Sequence, residues 1–81
     1  MLKIRFKDKS RVRLMIAEKG ESLRGFSDRV GISQGYLSQL LLDKKQPSPK
    51  TACKIADGLN VDVKDIFLIE SIDESIDKEA N

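Results

Sequence analysis

The four residues "VGIS" at 30–33 join two short apolar stripes and thereby dictate how they meet. Before the turn, Leu23, Phe26, Ser27 and Val30 recur at the spacing of one helical face; after it, Leu37, Leu40 and Leu41 do the same. Helices this short are marginal in water on their own, so each must bury its stripe against a neighbour. Gly31 supplies the positive backbone angle that a tight turn needs. Ser27 is small where the two helices approach, Ile32 plugs the corner, and Val30, Leu37 and Leu40 hold the angle between them.

The second of these helices has an unusual outer face. Ser33 is a good N-cap, because its hydroxyl can satisfy an orphan amide of the first turn. Beyond it the side away from the apolar stripe shows Gln34, Gly35, Ser38 and Gln39, and no charge occurs between Arg29 and Asp43. A surface helix ordinarily carries Glu and Lys there, so something other than solubility shapes that face.

A chain of 81 residues makes one small domain whose core is marginal unless it is helical and compact, or buries more surface by pairing. Oligomerisation is therefore expected. The single Cys53 lies in the apolar-periodic run Ala52, Cys53, Ile55, Ala56 and is expected in the core as a small hydrophobe; one cysteine cannot form a disulfide framework within the chain. Histidine is absent, which removes the commonest general base and the commonest metal ligand. Nothing shows a nucleophile beside a base or paired carboxylates, so neither catalysis, a metal nor a cofactor is expected. The apolar runs are far below membrane-spanning length and the N-terminus has no hydrophobic signal region, so the expectation is a cytoplasmic protein without a membrane partner. The net charge of +2 hides an asymmetry: residues 1–69 carry 14 Lys and Arg against 8 Asp and Glu, whereas residues 70–81 carry 1 Lys against 5 acids.

Along the chain, Leu2, Ile4 and Phe6 alternate with Lys3, Arg5 and Lys7, the period of a strand, and residues 2–6 read as a short extended arm. Asp8 or Ser10 caps a first helix with the stripe Val12, Met15, Ile16, stopping before Gly20. Ser22 caps the second helix and Ser33 the third, which runs to about Leu42 and gives way to the polar loop "DKKQPSP". Ser48 and Pro49 open a fourth helix, with Ala52, Ile55, Ala56 and Leu59 as its buried stripe and Asn60 as a left-handed terminator. Asp62 and Asp65 are spaced as a capping box for a fifth helix through Val63, Ile66 and Phe67. In the acidic tail, Ile69, Ile72 and Ile76 fall on one helical stripe, and the last few residues are expected to be disordered.

Two helices crossed by a turn of this length form a helix-turn-helix, in which the second helix can enter the major groove of DNA. The stretch "SLRGFSDRVGISQGYLSQLLLDKKQPSPKTACKIADGLNVDVKDIF" resembles the Cro and phage-repressor family of helix-turn-helix regulators from about Val12 to Phe67. The elements that carry the resemblance are the turn "VGIS", the "YLS" of the third helix, the "KKQPS" loop, and "KIADGLNV" leading into "DIF". It implies an all-α, compact five-helix, lambda-repressor-like domain that binds operator DNA, commonly as a two-fold dimer.

By position, the resemblance places Gln34 at the first base-contacting site, where glutamine can make two hydrogen bonds to adenine. Gly35 and Tyr36 follow on the groove-facing edge, with Ser38 and Gln39 one turn further in. Close backbone approach is a motive for Gly35; the Tyr36 ring packs either over a thymine methyl or against the edge of the second helix. Ser22 and Ser33 at helix N-termini, Arg24, and Lys44 and Lys45 in the following loop are the phosphate candidates. The chain also departs from the family's pattern. Leu23 stands where many members have a phosphate-contacting glutamine. Ile16 and Leu41 replace a frequent arginine and glutamate together, consistent with an ion pair exchanged for an apolar contact. Asp43 occupies the usual glycine position after the third helix, which puts the shape of that turn and the register of Lys44 and Lys45 in question.

The expectation is thus a basic arm at 1–9, a DNA-binding domain at 10–68 and an acidic tail at 69–81. Its function would be that of a repressor from a phage or other mobile element, acting as a homodimer on a palindromic operator. Phe67, Leu68, Ile69 and Ile72 form a run too apolar for a free terminus and are the expected dimer interface. The basic residues of the arm read either as charge that keeps an edge strand soluble or as contacts to the DNA backbone or minor groove. The rival class is an antitoxin or inhibitor that grips a protein partner through the acidic tail.

Overall fold

The computed structural model describes residues 2–71. In chain order these form β1 (Leu2–Phe6), α1 (Lys9–Glu18), α2 (Leu23–Val30), α3 (Gln34–Leu41), α4 (Pro49–Gly58), α5 (Val63–Ile66) and β2 (Phe67–Ser71). Five helices are present as expected, but the domain is mostly helical rather than all-α, because β1 and β2 pair as a two-stranded antiparallel sheet. The register sets Ile4 opposite Ile69 and Phe6 opposite Phe67.

Each longer helix begins where a side chain satisfies an amide of the first turn. The Asp8 carboxylate accepts from the Arg11 N–H at 3.2 Å, and the hydroxyls of Ser22, Ser33 and Ser48 accept from Gly25, Tyr36 and Thr51 at 3.0, 3.1 and 3.2 Å. Such caps contribute about 0.5–2 kcal/mol each. For α5, the Asp65 carboxylate reaches back to the Asp62 N–H at 2.9 Å, as its spacing predicts.

The ends of α3 and α4 follow one pattern. At the end of α3 the Lys44 N–H bonds to the Gln39 carbonyl at 2.8 Å and the Asp43 N–H to the Leu40 carbonyl at 3.1 Å, the paired bonds of a Schellman turn. Asp43 adopts φ 60° and so takes the left-handed conformation a glycine would supply; aspartate is among the few residues that visit it readily. The loop that carries Lys44 and Lys45 therefore leaves α3 by an ordinary helix stop. Asn60, at φ 58°, ends α4 in the same way, with the Val61 N–H on the Ala56 carbonyl at 3.0 Å.

The core gathers the expected stripes: Val12 and Ile16 of α1, Phe26 of α2, Leu37, Leu40 and Leu41 of α3, and Ala52, Ile55, Ala56 and Leu59 from α4 and its end. Ile16 and Leu41, which stand in for the frequent ion pair, are both buried. Ile4 and Phe6 of β1 and Phe67 of β2 join the same cluster, and the Phe6 and Phe67 rings stack at 4.7 Å.

Phe67 neither extends the fifth helix nor offers itself to a partner: it starts β2 and is only 1% exposed, because the α5 helix ends after one turn and the chain swings back onto β1. Ile69 lies in β2 and not on a helical stripe; Ile72 and Ile76 are outside the described residues. Cys53 is exposed, because the side of α4 that packs inward is set by Ala52, Ile55 and Ala56, and Cys53 sits past its edge.

Candidate nucleic-acid interface

The interface begins with what fixes α3. Its inner face is buried almost completely, Leu37 at 0% and Leu40 at 1% exposure, and its start is set by the turn at Gly31, whose φ of 84° no β-branched residue would adopt without strain. Across the turn Ser27 is wholly buried and its hydroxyl donates to the Arg24 carbonyl at 2.8 Å, so the small polar group at the crossing is satisfied.

At about 100° of rotation per residue, Gly35 and Gln39 fall at the centre of the face opposite Leu37, Leu40 and Leu41. Gln34 and Ser38 fall on one flank of that face, and Tyr36 on the other. Exposure agrees: Gln34, Gly35 and Gln39 are exposed, while Ser38 and Tyr36 are half-buried, Tyr36 packing against the core cluster. A β-carbon added to Gly35 would meet nothing within 4 Å, so the protein's own packing does not require glycine there. The result is a convex ridge of amides and hydroxyls with a bare backbone at its middle. A helix is about 10–12 Å across with its side chains, and the major groove of DNA is about 12 Å wide.

The phosphate candidates bracket this ridge. Ser22 and Arg24 stand at the start of α2 and Ser33 at the start of α3, while Lys44 and Lys45 follow its end; all five are exposed. The hydroxyls of Ser22 and Ser33 accept from backbone amides and keep their own protons to donate.

Arg29 has a structural task that its sequence position did not disclose. Its guanidinium donates to both carboxylate oxygens of Glu21 at 2.7 and 2.8 Å and to the Gly58 carbonyl at 2.8 Å, and lies 5.5 Å from the centre of the Phe26 ring. The hydrogen bonds and charge of Arg29 hold the Glu21 carboxyl below its ordinary range. This brace ties α2 to the end of α4. Gly58 belongs to the same contact: a β-carbon there would come within 2.3 Å of Val30. A glycine inside an otherwise periodic helix is a signal of close approach, and that is the one trace of this contact in the sequence. A second tie, Lys9 to Asp43 at 2.6 Å, pins the loop after α3 to the start of α1.

A family model described as helix-turn-helix matches residues 12–66. The chain belongs to the helix-turn-helix family. The match is of the Cro and phage-repressor type, whose members are DNA-binding transcription regulators and typically non-enzymatic. It spans α1 to α5 and leaves both strands of the sheet outside it. No curated protein and no solved structure matches the chain in the corresponding comparisons. Among the described residues of this helix-turn-helix protein, no helix is long and apolar enough to cross a membrane, and no group of three or more metal-ligating side chains stands together.

Proposed function

We propose that this helix-turn-helix protein is a sequence-specific transcriptional repressor that binds a two-fold operator as a homodimer, with α3 of each subunit in the major groove. The observation that carries the proposal is the outer face of α3: uncharged, exposed, and centred on a glycine that no internal contact demands. Gln34, Gly35, Tyr36, Ser38 and Gln39 read base edges; Ser22, Arg24, Ser33, Lys44 and Lys45 hold phosphates. Ile69, at 48% exposure, supplies apolar surface for dimerisation, while Leu68, at 38%, lies on the other face of β2, opposite Arg5; Ile72 lies beyond the described residues. Occlusion of a promoter is the simplest output of such a complex.

The test is selection from random duplex DNA at moderate salt, with wild type and a Gln34→Ala, Gln39→Ala variant in parallel. Wild type recovers a palindromic site and the variant loses it, since each bidentate base contact contributes about 1–3 kcal/mol of discrimination. Gly35→Ala raises the melting temperature, because alanine gains up to about 1 kcal/mol of helix propensity, yet it weakens binding to the selected site. Ile69→Asp shifts the sedimenting species towards monomer. Recovery of no consensus by wild type sinks the operator reading and moves attention to a protein partner, whose binding through an apolar surface would respond little to added salt.

A further inference from the structure

Where α3 ends, a cleft opens between β1 and the loop that follows the helix. One wall carries Lys3, Arg5, Lys7 and Lys9, the other Asp43, Lys45 and Gln46, with Leu40 of α3 in the lining. The cations come from two parts of the chain more than thirty residues apart, and the fold brings them to the lining of one cleft. Their strand and the residues after it fall outside the helix-turn-helix match, which starts at Val12.

The cleft's two acids are already engaged. Asp8 caps α1 through the Arg11 amide, and Asp43 takes the Lys9 ammonium at 2.6 Å. Among the described residues, Lys3, Arg5, Lys7 and Lys45 form no ion pair. Across the ribbon Glu70 stands opposite Lys3 in the register, and Leu68 opposite Arg5. Alternation along the strand turns Lys3 and Arg5 away from the buried Ile4 and Phe6, and next-but-one residues are about 6.6 Å apart along a strand. That geometry spreads positive charge along a line. It suits a chain of anions better than a single one, and pairing to β2 fixes the backbone that spaces the charges.

We infer that this cleft seats the DNA sugar-phosphate backbone, alongside α3 and outside its base-reading face. The inference rests on the DNA reading above and extends the footprint past the end of the recognition helix. Lys3, Arg5 and Lys45 grip the phosphates, and the Lys9–Asp43 pair keeps the cleft's two walls at a fixed separation.

The experiment measures affinity against salt for the duplex recovered by selection, with flanks extended by about one helical turn, or ~10 base pairs. It compares wild type, a Lys3→Gln, Arg5→Gln, Lys45→Gln variant, and the charge-keeping Lys3→Arg, Arg5→Lys, Lys45→Arg variant. The plot of log affinity against log salt loses about 0.9 of slope for each phosphate contact removed, so the glutamine variant flattens and the charge-keeping one does not. Phosphate-ethylation interference on the flank disappears in the glutamine variant alone, while the selected consensus stays the same. Should the glutamine variant melt early, the single variants Lys3→Gln and Arg5→Gln carry the same test, with a slope loss of about 0.9 each. Wild-type slope and an unchanged ethylation pattern in the glutamine variants overturn the cleft, and with it the phosphate role of Lys45, and leave base reading by α3 standing. If selection finds no consensus, the operator reading fails, and the same slopes on a mixed-sequence duplex still decide the cleft. No binding to any duplex overturns both.

Discussion

Helices α2 and α3 are neighbours in sequence and meet across the turn at Gly31, whereas β1 and β2 come from opposite ends of the described chain and meet through a ladder and the stacked rings of Phe6 and Phe67. The helix pair closes a short loop and so forfeits little chain entropy. The ribbon must close a loop of most of the domain, a cost that grows slowly with length but must be met before any strand contact forms. A two-stranded sheet is at best marginal alone; this one persists because Ile4, Phe6 and Phe67 are built into the helical core and the Lys7 N–H bonds to the Ile66 carbonyl at 2.9 Å at its base. The two regions thus differ in how they are reached but share one core. They also divide the proposed chemistry: uncharged amides on α3, charge beside the ribbon.

The largest effect tests that shared core. Phe26→Ala in the helix pair and Phe67→Ala in the ribbon each remove a buried ring and each costs about 3–5 kcal/mol, a large part of the 5–15 kcal/mol typical of a folded domain. Both variants should lower the melting of the far-ultraviolet helical signal by similar amounts. Helices that melt at the wild-type temperature in Phe67→Ala would show the ribbon to be a separate appendage. Gly58→Ala comes next. Alanine gains helix propensity of about 1 kcal/mol, but its methyl collides with Val30 and Phe26, and overpacking costs about 1–3 kcal/mol. A net fall in denaturant midpoint is expected, in contrast to the rise for Gly35→Ala; a rise in both would mean that α2 and α4 are not in tight contact.

The same contrast explains what could be read from the residues alone. Stripes such as Leu37, Leu40, Leu41 and caps such as Ser22, Ser33 and Ser48 express contacts within a turn or two, and periodicity reports them directly. The alternation at Leu2–Phe6 was legible as extended chain, but its partner was not. Phe67, Leu68 and Ile69 follow a capping box with no turn residue between, so they read as a helix end and then as a sticky tail. Phe67 could be assigned to the core only once β1 was known to lie beside it. Cys53 reads as a core residue because apolar residues one position off a helical stripe look like members of it, yet it is exposed. For the proposed DNA face, the uncharged residue types and their helical positions are legible before the fold is known, and the structure places Gln34, Gly35 and Gln39 exposed on α3. The cleft that Lys45 and Arg5 share, and the brace at Arg29, depend on tertiary closure and leave no periodic trace.

That brace is the smallest and most specific test. Glu21 and Arg29 are near in sequence, yet their value lies in what they join, the start of α2 to the carbonyl of Gly58 on α4. In the folded protein Arg29 holds the Glu21 carboxyl below its ordinary value, so between the two values the unfolded chain binds more protons and stability rises with pH. The contribution is complete above the ordinary glutamate value of about 4.3 and drains away as pH falls through the lowered one. Thermal midpoints of wild type and Glu21→Gln, measured down the acid range, isolate it, because every other carboxylate is common to both. Wild type should be the more stable at neutral pH, with the two curves converging as Glu21 takes up its proton. Added salt should narrow the gap, since the pair is exposed enough to be screened. Parallel curves at every pH would mean that α2 and α4 are held by Phe26, Val30 and the close approach at Gly58 alone, and that the helix pair, like the ribbon, owes its position to the apolar core.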